Sequence, residues 1–317
     1  MLWPRRKNRL LASLGRLPDN ERAAVLAEAM RPLADKPALF ELWQEHGFHV
    51  TPVHFYEPIP DTRELGAELW SRQSALAGID MRVDAQLALL AELGRYASEL
   101  EDVPFEKPRS ETEFYLDNPM FGGTDALVLY AMLRHAKPRR IVEVGSGHST
   151  LLARRAVAAN QGGRITCIEP YPPDFLRRLD VELIAEKVQT VGYSVFESLA
   201  ANDVLFIDSS HVVRCGGDVN FLFLEVLPRL APGVIVHVHD VFLPREVPRE
   251  WVMDLHHFWT EQYLLHAFLI FNSGFRVLLA NAFLGAQHAE AFQRAFPRST
   301  WWGGASFWMQ RQDEPSA

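Results

Sequence analysis

The sequence predicts an α/β protein: a seven-stranded, doubly wound sheet with a late antiparallel strand, entered through a helical amino-terminal region. Three observations carry that expectation. From about Lys137-Pro138 onward, short β-branched runs alternate with helical stretches, the pattern of a mainly parallel sheet flanked by helices. Before that point apolar residues recur at three- and four-residue steps, and no strand pattern appears. The first strand-like run, Ile141–Val144, ends directly in Gly-x-Gly, a tight turn into the following helix. Two regions follow, a helical cap over 1–113 and a sheet domain over 114–317.

The elements are taken in chain order. Arg5, Arg6, Lys7, Arg9 and Arg16 crowd the first sixteen residues, which contain no acid. The apolar run Leu10-Leu11-Ala12 is broken at Ser13, too soon for the core of a secretory signal. The segment reads as a solvated basic terminus, with a membrane-surface or transit role as the alternative. Asp19 or Asn20 is placed to cap a helix over 21–30, and Asp61 or Thr62 to cap one after the proline-rich connection around Tyr56 and Glu57. Val83, Leu87, Leu90, Leu93, Ala97 and Leu100 paint one face of a further helix. The segment from Asn118 to Asp125 is either part of a ligand pocket or a loop with a helix cap, and Thr124–His135 is the helix leading into the sheet. Strands are expected at 140–144, 164–168, 188–191, 204–208, 234–239, 275–280 and 306–310. A long helix is expected around 261–271, and Gln287–Ala295 is a further helical candidate.

Composition narrows the function. The chain has 317 residues, 32 basic and 40 acidic, for a net charge of -8. That balance offers no basic track for a nucleic-acid backbone. No apolar run approaches the ~20 residues of a membrane-spanning helix. Two cysteines, Cys167 and Cys215, cannot form a disulfide scaffold or by themselves a cysteine-based zinc site. The expectation is a cytoplasmic protein acting on a small molecule, with its oligomeric state undetermined.

The most informative stretch is Ile141-Val142-Glu143-Val144-Gly145-Ser146-Gly147-His148-Ser149-Thr150. A strand carries an acid near its end, and glycines then let a ligand approach the backbone and the first amides of the next helix. About twenty residues later Glu169 closes the second strand, where an acid is placed to accept hydrogen bonds from ribose hydroxyls. Its alternative reading is a surface residue before the turn Pro170-Tyr171-Pro172-Pro173. The third glycine of a dinucleotide-binding fingerprint is missing, because that position is Thr150. An NAD(P)-dependent oxidoreductase is thereby disfavoured.

Glu143-Val144-Gly145-Ser146-Gly147, Glu169 and the strand order resemble the Rossmann-like class I S-adenosylmethionine-dependent methyltransferases. Phe206-Ile207-Asp208-Ser209-Ser210-His211, His237-Val238-His239-Asp240 and the closing Gly304-Ala305-Ser306-Phe307-Trp308 are similar to the bacterial methyltransferase 24 branch. The resemblance spans roughly 114–311 and implies S-adenosylmethionine as cofactor. It implies cofactor contacts at Glu143, Gly145, Ser146, Gly147, Glu169 and Asp208, and O-methylation of a small polar or natural-product-like molecule. A catalytically inactive cofactor-binding module is the alternative from another class.

Asp208 and His211, with His239 and Asp240, are expected at the carboxyl ends of adjacent strands, where open α/β sheets bind ligands. Three readings stay open. Asp208, His211, His239 and Asp240 can hold a divalent metal, Mg2+ or similar, that activates an acceptor hydroxyl. His211 or His239 can instead act as a metal-free general base, oriented by Asp208 or Asp240. Or Asp208 caps a turn and His239 is a core histidine. His237 shares a strand face with His239 and reads as core, and Asp218 reads as the cap of a helix over 220–227. Phe242, Trp251, Trp259 and Tyr263 form either an aromatic substrate wall or packing.

Overall fold

The computed structural model describes residues 2–34, 36–299 and 303–313, and the side chains of residues 2–5 lie outside that description. The chain falls into two compact units, Met1–Gly66 and Ala67–Ala317. The first holds helices α1 (Leu2–Leu14), α2 (Asp19–Met30) and α3 (Phe40–Glu45). Asp61 accepts the Arg63 backbone N–H, as expected of a cap, but the helix it opens is only the 3-10 turn Thr62–Glu64. Among the described residues no helix is long and apolar enough to cross a membrane.

The second unit begins with α4 (Ala67–Ser71) and α5 (Val83–Leu93), the latter running on as a 3-10 helix to Leu100. Leu90 and Leu93 are buried, and the Gln86 side chain accepts the Ala280 N–H at 2.8 Å. The stretch from Ala67 to Leu100 thus lies in the same compact unit as the sheet.

Next come α6 (Gly123–Ala136), β1 (Arg140–Val144), α7 (His148–Ala159), β2 (Arg164–Ile168) and β3 (Glu182–Ile184). They are followed by α8 (Ser194–Glu197), β4 (Val204–Ile207), α9 (Asp218–Phe221), β5 (Ile235–Val238), α10 (Arg249–Met253) and α11 (Glu261–Leu269). The unit ends with β6 (Phe275–Ala280), α12 (Asn281–Ala295) and β7 (Phe307–Arg311). The sheet order is β3-β2-β1-β4-β5-β7-β6; β1 to β5 pair in parallel, and β7 runs antiparallel between β5 and β6.

This is the doubly wound sheet with a late antiparallel strand, with one correction. The segment 188–191 is not a strand: Val188–Thr190 is a 3-10 turn, and the edge strand is Glu182–Ile184. Three residues suffice for that edge, where Thr166–Ile168 of β2 receives them. Val188 and Val191 are buried from an irregular segment, so their β-branched character reported burial, not a strand.

The central strands are buried on both faces, which explains their unbroken apolar runs. Helix α6 is buried from Thr124 through Leu133 and stops where Lys137 takes a left-handed conformation (φ +49°), just before Pro138. The chain order reverses between β1 and β4, so their following loops diverge and leave a crevice at the carboxyl ends of the strands.

Candidate active site

The turn after β1 has two glycines with different neighbours. Gly145 is left-handed (φ +77°), and a Cβ there would lie 1.7 Å from the Asp208 carbonyl oxygen. It is required by the close approach of the loop after β4. A Cβ on Gly147 would meet nothing within 4 Å, so this glycine borders open space at the start of α7. The first amides of α7 have no acceptor within the helix, which suits the approach of a polar ligand.

Glu143 turns inward. Its two carboxylate oxygens accept from Ser149 Oγ and Thr150 Oγ1, each at 2.6 Å, and Thr150 Oγ1 in turn accepts the Gly147 N–H at 3.1 Å. Burial pushes the Glu143 carboxyl up to about 7, against the pull of those hydroxyls. Glu143 thus fixes the glycine turn from beneath. Glu169 lies beyond β2 and accepts the Ser146 N–H at 3.4 Å and the Tyr171 N–H at 2.8 Å. Its carboxylate therefore faces the glycine turn, with Ser146 between it and Glu143.

Asp208 follows β4 directly, its backbone N–H held by the Val144 carbonyl. The β4–β5 pairing continues through the His239 N–H to the Ile207 carbonyl at 2.9 Å, bringing the two Asp/His pairs side by side. His211 Nε2 lies 3.2 Å from Asp208 Oδ1 and 3.5 Å from Asp240 Oδ2. Among the described residues these three form the group that could share one metal ion, their ligand atoms all within 4.8 Å of one another. His211 and Asp240 are both left-handed (φ +59° and +56°). Such strain in residues other than glycine gathers at functional sites.

His239 stands beside this triad: Nε2 is 3.6 Å from Asp240 Oδ1, and Nδ1 is buried without a partner among the described residues. Its ring packs on Phe121 at 4.8 Å. His237 is core, stacked on Phe206 at 4.1 Å and bonded through Nε2 to Ser306 Oγ, and burial drives it well below the ordinary imidazole range. Asp218 opens α9 itself, and its carboxylate accepts from both the backbone N–H and the hydroxyl of Ser210, steadying the loop between Asp208 and His211.

The charges are tightly coupled. Burial opposes the charge on His211, but Asp208 and Glu261 push its imidazolium up to about 10. Burial likewise opposes charge on Asp208, yet His239 and His211 hold its carboxyl below the ordinary range. Burial raises Asp240 and Glu261. His239 is raised because Asp208, Asp240 and Asp125 outweigh its burial.

Three further residues shape the site, and of these Glu261 carried no signal in the sequence. Glu261 Oε2 lies 2.8 Å from His211 Nδ1 across fifty positions of sequence. Phe121 floors the site through its contact with His239. It is placed by Asn118, whose Oδ1 accepts the Met120 and Phe121 N–H groups and whose Nδ2 donates to the Tyr115 and Phe121 carbonyls. Asp125, foreseen only as a helix cap, accepts from Asn281 Nδ2 and from the Ala305 and Ser306 N–H groups. Of the aromatic set, Trp259 lies 4.4 Å from the His211 ring, Trp251 packs edge-on to Trp259, and Phe242 edge-on to Trp251. All three are half-buried, while Tyr263 is bonded through its hydroxyl to Glu246.

A glycine turn after the first strand, an acid after the second and an Asp/His cluster after the fourth and fifth define a class I S-adenosylmethionine-dependent methyltransferase. Residues 142–241 match the methyltransferase 24 family, described as a methyltransferase domain, and the chain belongs to that family. An uncharacterised protein of Archaeoglobus fulgidus is 37% identical over 173 residues, covering 50% of this chain and 77% of that protein. Solved structures similar to the chain include TomG of Streptomyces achromogenes, an O-methyltransferase of tomaymycin synthesis in complex with S-adenosylmethionine. It is 16% identical over 72% of this chain and 90% of its own, with a TM-score of 0.38. An O-methyltransferase from Bacillus cereus, in complex with S-adenosylhomocysteine, is 16% identical over 71% and 91%, with a TM-score of 0.36.

Proposed function

We propose that this methyltransferase methylates an oxygen of a small, polar acceptor in the cytoplasm, at a site where Asp208, His211 and Asp240 hold a divalent cation. The observation that carries the reading is the convergence of those three side chains within 4.8 Å, beside a glycine turn whose Gly147 face is open. The donor set fits a cation: two carboxylates and one imidazole nitrogen converge, while the other ring nitrogen is engaged by Glu261. The same charges disfavour His211 as a free base. Its Nδ1 is engaged by Glu261 and its Nε2 lies between Asp208 and Asp240, so neither ring nitrogen is free to take an acceptor's proton.

In this reading Gly147 and the opening of α7 receive the amino-acid end of S-adenosylmethionine, and Glu169 receives the ribose. The sulfonium supplies an electrophilic methyl group, so positioning and exclusion of water govern the rate. A cation at the triad would supply Lewis acidity toward an acceptor hydroxyl. Asp208 and Asp240 would balance its charge, His239 beside Asp240 would take the acceptor's proton, and the half-buried Trp251 and Trp259 would flank the acceptor. The net charge of -8, without a basic track, supports a small acceptor over a nucleic acid.

Methyl transfer from labelled S-adenosylmethionine to a panel of hydroxylated acceptors, before and after chelation, tests this. Transfer to oxygen that is lost on chelation and restored by added divalent cation is expected. Full activity after exhaustive chelation would refute the cation, and product methylated only on nitrogen or carbon would refute the acceptor class.

A further inference from the structure

His211 is fixed from several sides by its own protein. Its carbonyl oxygen accepts the Thr260 and Glu261 N–H groups at 2.8 and 3.0 Å, and the Val213 N–H donates to Thr260 Oγ1 at 2.7 Å. Helix α11 thereby begins on the loop that carries the imidazole. Glu261 Oε2 lies 2.8 Å from His211 Nδ1, and the Trp259 ring covers the imidazole. The other Glu261 oxygen is buried without a partner among the described residues, so the contact of this buried carboxylate is with His211. An acid on Nδ1 keeps the ring proton there and leaves the Nε2 lone pair aimed between Asp208 and Asp240.

That orientation bears on which cation the site takes. Mg2+ prefers oxygen ligands and retains its waters, whereas Fe2+, Co2+ and Zn2+ accept imidazole readily. An oriented and polarised imidazole between two carboxylates is a mixed nitrogen and oxygen donor set. Building on the cation site of the proposed function, we infer that it selects an imidazole-accepting first-row cation over Mg2+, and that Glu261 is the positioning residue that confers this selectivity. A carboxylate in the first turn of α11 would also favour the helix dipole, a role that leaves cation choice untouched.

The test is direct titration of the full-length protein, freed of metal, with Co2+ and separately with Mg2+, followed by calorimetry and by the ligand-field absorption of Co2+. Wild type should bind Co2+ on the order of tenfold or more tighter than Mg2+. Glu261→Gln should weaken Co2+ by about 10- to 100-fold while leaving Mg2+ within about threefold. His211→Asp, which makes an all-oxygen site, should erase the preference and shift the Co2+ spectrum. S-adenosylhomocysteine binding reports whether each variant is folded; if Glu261→Gln fails that check, wild type against His211→Asp carries the comparison. Equal Co2+ and Mg2+ affinity in wild type, or a Glu261→Gln variant with unchanged Co2+ affinity, overturns the inference and leaves the cation site standing. Binding of neither ion removes both.

Discussion

Gly145 and Gly147 stand two positions apart and answer to different neighbours. A side chain at Gly145 would strike the Asp208 backbone, so Gly145→Val should impair folding itself. Gly147→Val has room for its Cβ and should fold, but it fills the open face of the turn. It is expected to weaken S-adenosylhomocysteine binding by about tenfold or more, roughly 1.4 kcal/mol, by calorimetry; unchanged affinity would mean the cofactor lies elsewhere. Ala at His239 should reduce turnover by on the order of 10²-fold with little loss of cofactor affinity, the signature of a group that handles the acceptor's proton. The opposite split would place His239 on the cofactor. Glu143 gives a pH test. With its native carboxyl raised to about 7 by burial, the folded protein holds a proton that the unfolded chain releases near ~4.3. Its contribution is therefore complete below the unfolded value and lost as pH rises through about 7. Denaturation midpoints of Glu143→Gln should depend less on pH across that window than those of wild type; parallel curves would contradict the assignment.

At the scale of elements, Asp125 ties three parts of the sheet unit together. From the first turn of α6 it accepts the backbone N–H groups of Ala305 and Ser306, entering β7, and the Asn281 amide that opens α12. A Cβ on Gly304 would lie 2.3 Å from Asp125 Oδ1, which shows how closely the β7 approach is laid on this carboxylate. Asp125→Ala leaves buried donors without acceptors and should cost about 3 kcal/mol in chemical denaturation, whereas Asp125→Asn, which keeps one acceptor oxygen, should cost less. A loss below about 1 kcal/mol would mean water replaces the carboxylate. The same junction shows what a sequence discloses. The strands β1 and β2 were legible at their bounds because burial on both faces writes a short β-branched run, and β6 because its apolar run is broken only by Arg276. The edge strand β3 was not, since one exposed and two half-buried residues leave no such trace. Asp208, His211 and Asp240 were legible because each stands within a few residues of a strand end. Glu261 was not, because its role arises from α11 meeting those strands in space, and no local spacing records that; Phe121 stood within a segment that read equally as pocket or loop.

For the whole molecule, the division after Gly66 leads to a prediction about cofactor binding. The glycine turn, Glu169, the Asp208–His211–Asp240 triad, Glu261 and the Asp125 junction all lie in the unit Ala67–Ala317, as does the continuous buried core around β1, β4 and β5. The polar groups that hold these residues come from the same unit: Ser149 and Thr150 for Glu143, Ser210 for Asp218, and Thr260 for the His211 loop. Among the described residues, the bonds that fix the proposed cofactor contacts come from Ala67 onward, so a fragment beginning at Ala67 should unfold cooperatively and bind S-adenosylhomocysteine as the full chain does. Ligand at a hundred times its dissociation constant stabilises a folded state by about 2.7 kcal/mol. For a unit of this size that corresponds to a rise in Tm of roughly 5–10 °C. Thermal scans of fragment and full chain, each with and without ligand, should show the same rise. A fragment that folds but shows no rise would assign part of the cofactor site to the first unit. A fragment with an equal rise but diminished turnover would instead give that unit a role toward the acceptor, as expected of a cap.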